Sequence, residues 1–293
     1  MVLLRGRIVM ESKTTIVDLA EAKRNKEKIA AVSCYDYTTA RFVSETGVKM
    51  ILVGDSAAQI ILGYDSTLPA TMDFMVAITA GVRRGAPGVF LVADMPFLSY
   101  QVSIPEAVRN AGRFVVEAGV QMVKIEVTGA QLDVVKAVSD AGIAVMAHIG
   151  TRPQRIGKMG RFKAEATTAG MAAELVGLAD QMVAGGASML LVEGTAAEVA
   201  QIITERSEVP VISCGSGSGC DGQILVATDI LGAMIGRGPK FAKSYATVGK
   251  QMVDAFQAYC DEVKRSNYPD AEHSYHMKPG ELEKFEKLLA GEG

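Results

Sequence analysis

The segment SIPEAVRNAGRFVVEAGVQMVKIE (residues 103–126) holds the unit from which the rest of the chain is built. Ser103 before Ile104-Pro105-Glu106 fits a helix start, with serine as the N-cap, proline in the first turn and glutamate reaching back to the cap. Apolar residues then recur at intervals of three and four, and Gly119 supplies the stop. QMVKI (121–125) follows at once. It is short and, Lys124 apart, apolar on both faces, as a parallel strand covered on both sides reads.

The same alternation extends in both directions. Short apolar runs stand at 29–34 (IAAVSC), 50–54 (MILVG), 89–93 (VFLVA), 143–147 (IAVMA), 188–192 (SMLLV) and 209–213 (VPVIS). Helical spacing is expected at 71–85, 130–142, 167–185, 196–207 and 244–265. A further helix at 15–28, opened by Thr14 or Thr15, would plug the barrel's end. Seven strands are clear; an eighth falls within GQILVATDIL (222–231), which reads equally well as helix. Repeated strand–helix units imply a wholly parallel sheet, a signature that a closed barrel and an open doubly wound sheet share. The expectation is the closed form, a (β/α)8 TIM barrel with an extra N-terminal helix. It would be a single domain over 1–293: helix about 15–28, barrel about 29–265, and a tail about 266–293 with a short charged helix.

Composition narrows the function classes. With 49% hydrophobic residues, 22% charged, nine prolines and no tryptophan, the chain has the material for a large core. A net charge of −3 without a basic stripe argues against nucleic acid. No apolar run approaches the roughly 20 residues that span a bilayer. The start, MVLLRGR, has arginines where a signal peptide needs an apolar stretch. Cys34, Cys214, Cys220 and Cys260 form no C-x-x-C pair and read as thiols of a reducing compartment. The expected location is the cytoplasm.

Chemistry on such a barrel gathers at the carboxyl ends of the strands. Those ends carry Asp55-Ser56, Asp94, Lys124 with Glu126, His148 and Glu193, while the seventh runs into Gly215-Ser-Gly-Ser-Gly. Singly, an acidic residue there can cap the next helix, and a strand histidine can be structural. Together, several carboxylates on one rim demand a compensating positive charge. Asp and Glu are hard oxygen ligands suited to Mg²⁺, which also accepts the carboxylate and keto oxygens of a 2-oxo acid. Such a metal would stabilise the enolate formed beside the ketone. The glycine-rich run lacks the lysine of a phosphate-binding loop and reads as a tight turn.

Ten segments in order then resemble one family: CYDYTTA (34–40), VGDS (53–56), GYDSTLPATM (63–72), VRRGAP (82–87), ADMPF (93–97), MVKIE (122–126), AHIG with PQ (147–154), DGQIL (221–225), PKFAKSY (239–245) and YPDAEHSY (268–275). Over most of its length the chain is similar to the ketopantoate hydroxymethyltransferases of the phosphoenolpyruvate/pyruvate superfamily. The resemblance implies a barrel that transfers a hydroxymethyl group from 5,10-methylenetetrahydrofolate to 3-methyl-2-oxobutanoate in pantothenate biosynthesis. It implies Asp55, Asp94 and Glu126 as Mg²⁺ ligands. Asp55, Ser56, Asp94, Lys124 and His148 would hold the oxo acid, with Glu193 as the base that removes the C3 proton. A homo-oligomer, commonly a decamer, is also implied. The loops at 57–59, 156–166, 194–195 and 215–220 depart from the family pattern. A lyase, decarboxylase or hydrolase acting on another 2-oxo acid without folate is therefore the alternative reading.

Overall fold

A computed structural model describes residues 13–160, 163–236 and 238–291. The N-terminal segment whose arginines argue against a leader lies outside the described residues. Those described fall into two compact units: one up to residue 230 with 238–243, the other 231–237 with the chain from 244 onward.

The first unit opens with α1 (Ile16–Arg24), started by a capping box in which Thr15 accepts from Asp18 N and Asp18 returns to Thr15 N. Then follow β1 (Ile29–Ser33), α2 (Tyr37–Ser44), β2 (Met50–Val53), α3 (Ala57–Ile60), α4 (Met72–Gly85), β3 (Phe90–Asp94) and α5 (Ile104–Ala118). Next come β4 (Met122–Glu126), α6 (Leu132–Asp140), β5 (Ala144–Gly150), α7 (Ile156–Met159), α8 (Ala169–Ala184) and β6 (Met189–Glu193). The unit finishes with α9 (Ala197–Arg206), β7 (Val211–Cys214), β8 (Gly222–Val226) and α10 (Ala227–Leu231), whose last residue falls in the second unit.

The eight strands pair in sequence order, all parallel, and β8 closes on β1 over Ile29–Ser33. The closed barrel expected from the sequence is therefore the fold. The segment 222–231 resolves into both of its readings, a strand to Val226 and a helix from Ala227. A helix that the apolar pattern did not announce, α2, fills the connection between β1 and β2, capped by Asp36 onto Thr39 N at 2.8 Å.

Strand residues alternate between two cores, as a period of two requires. One set packs outward with the helices. The other is a separate apolar cluster that contains Met50, Met122, Met146 and Met189 from four strands, together with Leu19 of α1. Unbranched methionines fill the irregular space inside a barrel well. The helix α1 closes this core, and the half-buried Lys23–Asp221 ion pair at 2.7 Å fastens it to the loop before β8.

The second unit holds α11 (Val248–Lys264) and α12 (Glu281–Leu289). Pairs four residues apart, Lys250–Asp254 and Gln257–Asp261, support α11, and no α11 residue is buried. No described helix is long and apolar enough to cross a membrane.

Candidate active site at the barrel mouth

The inward alternation that gives the apolar cluster changes chemistry at its last step. Phe90 and Val92 are followed on the same face of β3 by Asp94, and Met122 on β4 by Lys124 and Glu126. Met146 on β5 is followed by His148, and Leu191 on β6 by Glu193. Parallel pairing sets these rungs side by side, with Asp94 opposite Lys124, Glu126 opposite His148, and Glu193 opposite Cys214. A polar layer thus crowns an apolar core at the carboxyl ends of the strands, where such barrels carry their chemistry.

Asp55 enters from the turn after β2. Its backbone N–H donates to Asp94 Oδ2 at 3.0 Å. A Cβ on Gly54 would stand 2.9 Å from Ser56 Oγ and 3.2 Å from Ser33 Oγ, so the glycine leaves room for these two hydroxyls. Ser56 begins α3, and its hydroxyl pairs with the Tyr35 hydroxyl at 2.8 Å.

Lys124 is the one cation among these groups. Its Nζ lies 3.2 Å from Asp94 Oδ1 and 2.9 Å from His148 Nδ1. An ammonium can only donate, so Nδ1 is the acceptor and the imidazole proton sits on Nε2. That Nε2 stands 3.3 Å from Glu193 Oε2. Burial, reinforced by Lys124, holds the His148 pKa well below its ordinary value, so the ring stays neutral. Asp94, Lys124, His148 and Glu193 form a continuous line across the mouth. The first three are almost fully enclosed, whereas the Glu193 side chain keeps 21% of its surface open.

The carboxylates carry the electrostatic strain of this crowding. Burial, then the Asp94 charge, pushes Asp55 up to about 7. Burial raises Glu193 to about 7 and lifts Glu126 well above the ordinary carboxylate range. Burial alone would depress Lys124, but the charges of Asp94, Glu126, Asp55 and Glu193 outweigh it and raise its pKa. Four carboxylates therefore face a single ammonium, and Asp94 Oδ1 is buried without a hydrogen-bond donor.

That excess of hard oxygen donors suits a small divalent cation. Among the described residues no three His, Cys, Asp or Glu side chains form a ready-made cage. Asp55 and Asp94, joined through the Asp55 N–H, are the pair able to hold such an ion, with Glu126 beside them. Water and a chelating substrate would complete the shell, as Mg²⁺ usually requires.

The structure thus brings together all the residues singled out at strand ends. It adds others that the sequence reading gave no role. Gln154, in the loop after β5, donates from its backbone N to Glu126 and from Nε2 to Asp55 Oδ2. Tyr100 donates from its hydroxyl to Gln154 Oε1 at 2.7 Å. Ser216 ties down the backbone around Glu193, donating to Val192 O at 2.9 Å and accepting from Thr195 N at 3.0 Å. Within the glycine-rich run after β7 the buried Ser216 thus clamps the neighbouring strand end, while Gly217 and Ser218 are exposed.

A sequence model of the ketopantoate hydroxymethyltransferase family matches residues 13–271. A protein of Alkaliphilus metalliredigens named 3-methyl-2-oxobutanoate hydroxymethyltransferase is 43% identical over 280 residues, 96% of this chain and 99% of its own. A Clostridium novyi protein of the same name is 41% identical over 273 residues, 93% of this chain and 99% of its own. Among solved structures, 2,3-dimethylmalate lyase, a PEP mutase/isocitrate lyase superfamily member, superposes with a TM-score of 0.57 at 18% identity, covering 96% of this chain and 99% of that one. That likeness is one of fold.

Proposed function

The chain belongs to the ketopantoate hydroxymethyltransferase family, and from that premise we propose that it transfers a hydroxymethyl group from 5,10-methylenetetrahydrofolate to 3-methyl-2-oxobutanoate. The observation that carries this reading is the line Asp94–Lys124–His148–Glu193, which ends on a half-open carboxylate beside a cation-deficient acidic pocket.

Asp55 and Asp94, with Glu126 beside them, would hold Mg²⁺. When bound, that ion supplies a positive charge against the negative charge that develops on the keto oxygen of a 2-oxo acid. Lys124 offers a fixed ammonium to the substrate carboxylate, and Ser56, oriented by Tyr35, offers a hydroxyl. Glu193 removes the C3 proton. Its pKa near 7 matches that task, since a base poised near the operating pH combines availability with driving force. His148 stays neutral 3.3 Å from Glu193, with its Nε2 unpartnered, and so leaves the charge of that carboxylate in place. The deprotonated C3 then bonds to the folate-borne methylene carbon as the two carbon–nitrogen bonds to that carbon break. Water supplies the hydroxyl oxygen, and tetrahydrofolate leaves with two protons on nitrogen, one balancing the proton taken from C3 and one from the water.

Incubation of the protein with Mg²⁺ and 3-methyl-2-oxobutanoate in D₂O, with and without methylenetetrahydrofolate, tests the reading by proton NMR. Loss of the C3 proton signal, and ketopantoate only when the folate is present, is the expected result. Exchange without product would reject the folate donor. Absence of both would reject the activity.

A further inference from the structure

Among the described residues Gln154 is the one that hydrogen-bonds to the carboxylates of both Asp55 and Glu126, and each of its side-chain polar atoms is engaged. Nε2 donates to Asp55 Oδ2 at 2.8 Å and to Met95 O at 2.9 Å. Oε1 accepts from Tyr100 Oη at 2.7 Å and from Gln101 Nε2 at 3.3 Å. The backbone N–H donates to Glu126 at 3.0 Å from Oε2 and 3.3 Å from Oε1. The side chain is buried, so none of these bonds competes with bulk water.

The orientation of the amide follows from its partners. Turned over, Oε1 would face two acceptors, Asp55 Oδ2 and Met95 O, and the amide nitrogen would face the Gln101 amide donor. Burying acceptor against acceptor costs roughly 1–3 kcal/mol per unsatisfied group, so only one orientation is stable. The Tyr100 hydroxyl thus reaches Asp55 through the amide. Accepting one bond leaves Oδ2 a further lone pair and Oδ1 untouched by the amide, so Asp55 is held in place while still able to offer oxygen to an ion that takes few protein ligands and keeps its waters.

We propose that Gln154 is a positioning residue that presets the Asp55 and Glu126 carboxylates for a divalent cation, a role that rests on the Mg²⁺ reading above. Groups that hydrogen-bond to metal-ligating carboxylates typically contribute about 10–100-fold to metal affinity.

Calorimetric titration of the full chain with MgCl₂ alone, without substrates, tests this. Gln154→Met keeps the volume and removes both amide functions, and Tyr100→Phe keeps Gln154 but loses the hydroxyl that orients it. The expected outcome is a Kd for Mg²⁺ weaker by about 10–100-fold in Gln154→Met, and weaker by a smaller factor in Tyr100→Phe. Melting curves identify which variants are folded. A folded Gln154→Met that binds Mg²⁺ as tightly as the parent would overturn the role. If that variant does not fold, an unchanged Kd in Tyr100→Phe overturns it instead. A parent protein that binds no Mg²⁺ would reject the metal reading itself, a result distinct from the other two.

Discussion

Lys124 Nζ donates to His148 Nδ1 at 2.9 Å while facing Asp94 Oδ1 at 3.2 Å, so one buried ammonium fixes the tautomer of the imidazole that borders Glu193.

Removing the ammonium leaves the carboxylates uncompensated. Lys124→Met should destabilise the metal-free protein by about 3–5 kcal/mol at pH 8, the usual cost of breaking a buried ion pair from one side. The loss should shrink at pH 5, where raised pKa values let the carboxylates bind protons. Urea unfolding at the two pH values measures both numbers, and an equal loss at each would remove Lys124 as the compensating charge.

The two carboxylates with pKa near 7 also set how stability depends on pH. Asp55 and Glu193 have folded values of about 7, against ordinary values of 3.8 and 4.5. A raised folded pKa means the native state binds the proton more tightly than the unfolded chain. The stability so contributed is complete below about pH 4 and is lost as pH rises through 7. The melting temperature of the metal-free protein should therefore fall between pH 5 and pH 8. Mg²⁺ should restore most of it at pH 8 and little at pH 5. Differential scanning calorimetry in chelator and in Mg²⁺ decides the matter.

The backbone at Glu193 is held by a close approach from β5. Gly150 has φ +85°, and an added Cβ would collide with the Glu193 carbonyl, which accepts from Thr151 N at 2.9 Å. Gly150→Ala combines a disfavoured φ with that clash, so it should cost about 1–3 kcal/mol. Because it moves Glu193, the base of the proposed reaction, it should also lower C3 exchange by at least about tenfold, the scale on which small misplacements act. Thermal melts and exchange rates on one preparation report both. Unchanged exchange would show that the Glu193 backbone is free to adjust.

His148→Phe keeps the ring and removes both nitrogens. It should leave Mg²⁺ affinity near that of the parent and lower C3 exchange by about 100-fold, the lower end of the range for groups that assist proton transfer. Calorimetry with MgCl₂ separates the two effects. A loss of metal affinity equal to the loss of exchange would assign His148 to the metal and not to the base.

Much of this site is legible in the sequence. Parallel strands buried on both faces leave continuous apolar runs, so β1 to β7 stand out, and a charged residue at the end of such a run is conspicuous. Asp94, Lys124, Glu126, His148 and Glu193 were visible for that reason. Helix α2 was not, because YTTARFVS has no apolar stripe: Ala40 is its one buried residue, and Phe42 is 70% exposed. Only the Asp36 cap marked it. The eighth strand merged with α10 because GQILV and ATDIL are apolar without a break. Tyr100 carries no signal in the sequence, and Gln154 enters only within the PQ segment with no role attached, for another reason. Both lie in loops, and their meaning depends on partners far along the chain, such as Asp55, which no local pattern encodes. The Ser216 clamp is hidden in the same way inside a run that reads only as a tight turn.

The central claim is that Glu193 removes the C3 proton of a 2-oxo acid bound in the pocket of Asp55, Asp94 and Lys124. The most direct measurement is the rate at which 3-methyl-2-oxobutanoate loses its C3 proton in D₂O with Mg²⁺, for the parent and for Glu193→Gln, alongside calorimetric binding of the same acid to each. The parent rate should rise with pH through about 7 and level off above it, because only the ionised carboxylate accepts a proton. Glu193→Gln should bind the oxo acid within about threefold of the parent and show exchange reduced by at least about 10²-fold. Exchange in Glu193→Gln at the parental rate would contradict the account and move the base to another residue.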